Sequence, residues 1–122
     1  VNEWQEQRVA IKWFRETYPE HAQCIRLSLT GVNLGGSKRA AIMINQMKAQ
    51  GLVLGESDLC LAIPKGGYGC LMIEHKSKDD KNGPTQAQRD YADYHNRLGN
   101  RAVFTKGIED LKSIIQSYME EL

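Results

Sequence analysis

The sequence predicts an α/β fold in which a mixed central sheet is flanked by helices. Three observations carry this reading. Helical and strand-like periods alternate in the order α-β-α-β-β-α-β-α. Two dense apolar runs, Leu59–Ile63 and Cys70–Ile73, have the composition of strands buried on both faces. Glycine and proline fall where helices and hairpins would have to stop. With 122 residues, 41% of them hydrophobic, the chain can bury one core without a disulfide or structural metal, so a single domain over 1–122 is expected.

Residues 3–18 read as an amphipathic helix. Val9, Ala10, Trp13, Phe14 and Tyr18 recur at three- and four-residue intervals, and Pro19 marks the stop. Residues 24–29 alternate apolar with polar or small side chains, as a strand does. Thr30 to Gly36 reads as a loop, and Ser37 caps a second helix that runs to about Gln50 and ends at Gly51. The two apolar strands follow, joined by Pro64-Lys65-Gly66-Gly67-Tyr68-Gly69, a hairpin turn by composition. After a polar loop over 77–83, Pro84 opens a third helix reaching about Leu98, with Gly99 at its end. Ala102-Val103-Phe104 is a short strand. Ile108, Leu111, Ile114, Ile115 and Tyr118 then trace one face of a last helix.

The formal net charge is +1, so the basic footprint of many nucleic-acid binders is missing. A carboxylate cluster offsets local Lys and Arg in such a sum, and the value excludes no function class. Cys24, Cys60 and Cys70 lack CxxC or Cys/His ligand spacing and sit in apolar runs, so buried, reduced thiols and an intracellular, cytoplasmic setting are expected. The sequence shows neither a cleavable signal nor an apolar run of ~20 residues, and gives no support for secretion or membrane insertion.

The chemistry concentrates in Gly55-Glu56-Ser57-Asp58, then the hairpin, then Ile73-Glu74-His75-Lys76. Side chains alternate along a strand, so Glu74 and Lys76 share a face and His75 points the other way. A hairpin sets the start of its first strand beside the end of its second, which brings Asp58 to Glu74 and Lys76 at one edge of the sheet. Magnesium and manganese take hard oxygen donors, and two carboxylates with the His75 backbone carbonyl make a partial cage. Such an ion lowers the pKa of bound water and neutralises charge growing on a phosphoryl group, while Lys76 orients or deprotonates the water or stabilises that charge. Two like charges ~4 Å apart repel by about 4 kcal/mol at an effective dielectric near 20. Without a metal, one acid should therefore take up a proton or the site should loosen. A Glu-x-Lys tripeptide also occurs on solvated strands. Here an apolar run leads directly into Glu74, where an idle charge would be costly.

These residues resemble a known family. The chain is similar to a stand-alone VRR-Nuc domain, a branch of the PD-(D/E)XK nucleases found in phages, bacteria and a eukaryotic DNA-repair nuclease. The likeness runs through Glu3 to Gln7 ahead of the apolar stripe, Tyr18-Pro19, Asn33 with Gly35-Gly36, and Lys48-Ala49-Gln50-Gly51. It continues through Gly55 and Asp58, Gly66-Gly67-Tyr68, Ile73-Glu74 with Lys76, and Gln88-Arg89-Asp90-Tyr91. The resemblance implies a restriction-endonuclease-like core, Asp58 and Glu74 as ligands of Mg2+ or Mn2+, and Lys76 as the catalytic lysine. It puts the family's first-helix acid on Glu6, as catalytic and metal-binding residue, with Glu3 as the close alternative. The helix glutamine falls on Gln88, which fits the following Arg-Asp-Tyr better than Gln86 does. The family usually has proline before the aspartate; this chain has Ser57, which adopts that backbone at some entropic cost. The resemblance also implies DNA as substrate and a homodimer that resolves Holliday junctions, since one site cuts one strand.

Lys38 and Arg39 stand at a helix start, where backbone amides favour phosphate, or form an ordinary solvated turn. Lys78 and Lys81 are placed for the backbone of a duplex arm, with Asp79 and Asp80 between them working against it. Arg89 faces either the site or solvent. Contacts of this kind fix register without reading sequence and suit a branched substrate. Trp4, Trp13 and Phe14 read as core or dimer residues, and His21 and His95 as surface groups. Leu52, Val53 and Leu54 belong either in the core or at a two-fold interface. Two rivals to a junction endonuclease stay open: a non-catalytic module that binds DNA structure or protein, and a flap, linear-DNA or restriction-type nuclease of the same superfamily.

Overall fold

The computed structural model describes residues 2–28 and 36–121. Helix α1 spans Glu3–Thr17, opened by a reciprocal capping box between Asn2 and Gln5 that satisfies two helix-end amides. Its buried residues are Glu6, Gln7, Ala10 and Phe14, one stripe at helical spacing. A single 3-10 turn, Pro19–His21, leads to strand β1, Ile25–Leu27. Helix α2, Lys38–Ala49, is capped by Ser37, whose Oγ accepts from the Ala40 amide. Strands β2, Leu59–Leu61, and β3, Leu71–Lys76, precede helix α3, Gln86–Arg97. Strand β4, Arg101–Lys106, and helix α4, Ile108–Met119, complete the order.

The strands form one sheet in the order β1-β2-β3-β4. β1 and β3 run antiparallel to β2, and β4 runs parallel to β3 after the α3 crossover. Between β2 and β3, Lys65 and Tyr68 exchange backbone hydrogen bonds of 3.1 and 2.8 Å around Gly66 and Gly67. Both glycines have positive φ (56° and 85°), the backbone that a tight hairpin needs. One face of the sheet carries the main core: Leu71 and Ile73 pack with Ala10 and Phe14 of α1 and with Leu111 and Ile115 of α4. Each of the leucine, isoleucine and phenylalanine side chains among them, fully removed from water, contributes about 1.5–3 kcal/mol. Tyr118 joins them and donates its hydroxyl to the Ile63 carbonyl at 2.6 Å. α3 lies on the other face, where Asn96 holds both backbone groups of Ala102 at 3.1 and 2.8 Å.

The mixed sheet between helices is the predicted fold class, with several local departures. β3 continues to Lys76 and β4 to Lys106, because parallel pairing holds their polar ends in the ladder as well as their apolar starts. Val9 and Trp4 (62% exposed) face solvent, on the flanks of the buried stripe of α1, while Phe14 is fully buried and Trp13 packs at the core's margin. Ala40 is the buried residue of α2; Ile42 and Met43 are exposed, as are Val53 and Leu54, which excludes those two from the core. The cysteines are free thiols but half-buried, not fully buried. His95 is half-buried too, its ring tilted against Tyr91 with centroids 4.4 Å apart and paired with Asn100 at 3.1 Å. Leu29 and the Thr30–Gly35 part of the predicted loop, Asn33 included, lie outside the described residues. Among the described residues, no helix is long and apolar enough to cross a membrane.

Candidate active site

The ends of β2 and β3 bring Asp58, Glu74 and Lys76 together, at the end of the two central strands and not at a sheet edge. The first two interlock through the backbone. The Asp58 amide donates to Glu74 Oε2 at 3.1 Å, and the His75 amide donates to Asp58 Oδ2 at 2.8 Å. Lys76 Nζ lies 3.8 Å from Glu74 Oε1, and the Gln88 side-chain amide donates to that same oxygen. Glu74 is 3% exposed.

Local sequence chemistry holds each piece in place. Gly55 has φ +85°, and a Cβ there would come within 2.6 Å of the Ala87 backbone, so the approach to Asp58 fits under the first turn of α3 only as glycine. Gln88 sits at the third position of a capping box: its Oε1 accepts from the Thr85 amide at 2.8 Å, while Thr85 Oγ1 accepts from the Gln88 amide at 3.2 Å. The Thr-x-x-Gln spacing that signals this box is visible in the sequence. One Gln88 side chain thus fixes the helix start and the Glu74 carboxylate together.

The electrostatics follow the repulsion expected of two adjacent acids. Burial, then the nearby Asp58 carboxylate, push the Glu74 carboxyl from its ordinary 4.5 up to about 8. Asp58 is raised as well, chiefly by burial, with the His75 amide and Lys76 opposing. The pair therefore holds a proton near neutrality, the outcome that the close spacing requires when no cation lies between them.

His75 points into the opposite face, fully buried. Its Nε2 donates to Glu6 Oε1 at 2.8 Å, and its Nδ1 pairs with Thr105 Oγ1 at 2.7 Å. The second Glu6 oxygen accepts from the Lys78 amide at 3.4 Å. In this structure the Glu6 carboxylate is thus engaged by His75 and the Lys78 amide, tying α1 to β3. Glu3, one turn earlier, is the α1 acid that senses the cluster. Burial raises its carboxyl, and it lies within electrostatic reach of Lys76 and Asp58. The Glu6–His75–Thr105 contact joins residues far apart in sequence, and no local pattern announces it.

Among the described residues, no three His, Cys, Asp or Glu side chains form a group that could hold a metal. The available donors are two carboxylates and backbone. The N–H and C=O of one strand residue point to the same side, so the His75 carbonyl is directed toward Asp58, as its amide is. Two carboxylates, one carbonyl and water are a donor set that suits a hard divalent cation, which keeps several waters. The residues fit such an ion.

The expected DNA contacts divide. Lys81 lines the cleft beside Lys76. Lys78 is exposed on the same loop. Arg89 turns back on its own helix start, donating to the Pro84 carbonyl at 2.9 Å. Lys38 and Arg39 are exposed at the start of α2, and among the described residues no hydrogen bond or ion pair joins them to the cluster.

No family model matches the chain, and no curated protein matches it. A solved structure described as a "VRR_NUC domain protein" is similar over 99% of this chain and 90% of its own length, at 27% identity and a TM-score of 0.79. Likeness of that extent covers every helix and strand, not the β2–β3 hairpin alone. Joined to the cluster of Asp58, Glu74 and Lys76 on a mixed sheet, it gives this chain the α/β core of a VRR_NUC domain protein, the PD-(D/E)XK type of fold.

Proposed function

We propose that this domain is a divalent-metal-dependent, structure-specific DNA endonuclease that hydrolyses phosphodiester bonds in branched DNA, including four-way junctions. The observation that carries this reading is the buried pair Asp58–Glu74, braced by Gln88 and Lys76 and holding a proton that a cation would displace. Two acids pressed together at a cost in stability are what a cation-binding site requires and a folding core does not. Asp58, Glu74 and the His75 carbonyl would hold Mg2+ or Mn2+, with Glu3 close by. When bound, that ion supplies an acidified water and a counter-charge for the phosphoryl oxygens. Gln88 fixes the Glu74 carboxylate against rotation. Lys76 is positioned to orient the water or to meet negative charge at the phosphate. Lys81 and Lys78 are available to the backbone of the DNA.

We further propose that the domain acts as a homodimer, because symmetric junction cleavage needs two sites. The exposed Ile42, Met43, Val53 and Leu54, next to a helix that buries little of itself, form the apolar surface a second copy would cover. A bacterial or phage-infected cytoplasm suits the thiols: Cys60 and Cys70 lie within hydrogen-bonding reach of each other and are free thiols, with no disulfide between them. The test is cleavage of a synthetic four-way junction with Mg2+ or Mn2+. Asp58→Asn, Glu74→Gln and Lys76→Ala should each abolish it. Full activity in any one of the three would remove the assignment.

A further inference from the structure

Beside Lys76 lies a cleft of about 350 Å³, with Phe104 and Lys106 on one side and the Lys81-Asn82 loop on the other. Strand register explains why these residues meet the candidate site. In the parallel β3–β4 pair, Glu74 is opposite Phe104 and Lys76 is opposite Lys106. Residues paired across neighbouring strands point to the same face, so Phe104 flanks Glu74 and Lys106 flanks Lys76. α3 covers only the earlier part of this face, over Ala102, and leaves Phe104 39% exposed. Folding alone gives no reason for an open phenyl ring next to a buried charge cluster.

We propose that this cleft is a subsite for one unpaired nucleotide adjacent to the phosphate that is cut, its base stacking on Phe104 and its backbone held by Lys81 and Lys106. The inference rests on the nuclease reading and deepens it. The cleft pairs an aromatic face with three ammonium groups, those of Lys76, Lys81 and Lys106, and a nucleotide is an anion bearing a flat π-system. Two acids share the wall, but each is engaged by backbone: Asp80 Oδ1 accepts from the Asn82 amide at 2.7 Å, and Asp110 Oδ2 from the Lys106 amide at 2.9 Å. A base stacked in duplex cannot enter a concave slot beside a sheet, whereas a base splayed out at a branch point can. The subsite therefore selects DNA that is opened where it is cut.

The experiment measures binding of a labelled ten-nucleotide oligo-dT and of its fully abasic counterpart by fluorescence anisotropy, in Ca2+ at low salt. The wild type should bind the base-bearing strand about 5- to 150-fold more tightly, the range of one aromatic stacking contact. Phe104→Leu, which keeps the apolar bulk, should erase that preference, and Phe104→Trp should keep it. Lys106→Ala should weaken both strands alike. A base preference that survives in Phe104→Leu overturns the subsite while leaving the nuclease reading intact. A wild type that binds neither strand and cleaves no junction overturns both.

Discussion

Replacing Glu74 by glutamine tests whether two acids are held together against their repulsion. In the folded chain the Glu74 carboxyl is raised from 4.5 to about 8. Below about pH 4.5 it is protonated in both folded and unfolded states, and pH has no leverage through it. Between there and about 8 the unfolded chain has released the proton and the folded chain still holds it, so the unfolded state gains as pH rises. Above about 8 the loss is complete. Each tenfold change in proton affinity is worth about 1.4 kcal/mol, which sets a ceiling of about 5 kcal/mol. Relaxation of the half-open site brings the expected loss to about 2–4 kcal/mol. Glutamine has the shape of the protonated acid and cannot ionise. In EDTA at pH 5 the two proteins should unfold within about 1 kcal/mol of each other, and at pH 9 Glu74→Gln should be the more stable by about 2–4 kcal/mol. Urea unfolding followed by Trp4 and Trp13 fluorescence measures this, as a midpoint higher by about 1–3 M. Manganese at pH 9 should stabilise the wild type and not the variant. A stability difference that stays flat from pH 5 to pH 9 refutes the electrostatic account of the site.

The two acids at the start of α1 should separate structure from activity. Glu6→Gln, which weakens the buried bond to His75, should cost about 1–3 kcal/mol in metal-free urea unfolding. Glu3→Gln should change stability by less than about 0.5 kcal/mol, yet weaken Mn2+ binding and slow junction cleavage; calorimetry and unfolding that gave the reverse pattern would put Glu6 in the site. Gly55→Ala should destabilise the fold by about 2–4 kcal/mol, because it combines a positive φ with a collision against Ala87. It should also lower cleavage at least tenfold by displacing Gln88, and near-normal turnover in a folded Gly55→Ala protein would show that this close approach does not position the site.

The element order, the Gly66–Gly67 hairpin and the common face of Glu74 and Lys76 were legible in the sequence, because each follows from spacing and turn chemistry within a few residues. So was the mutual repulsion of Asp58 and Glu74, since a hairpin sets the two strand ends side by side whatever surrounds them. The choice between Glu3 and Glu6 was not. They stand one turn apart on the same side of the helix, and only the position of α1 along the sheet decides that Glu6 meets His75 while Glu3 comes within electrostatic reach of Lys76 and Asp58. The place of Phe104 was equally hidden: its pairing with Glu74 is a parallel register set across the α3 crossover, where helix packing, not local sequence, fixes which residues meet. Periodicity along the chain determined which face each side chain takes, and tertiary packing alone decided what lies across from it.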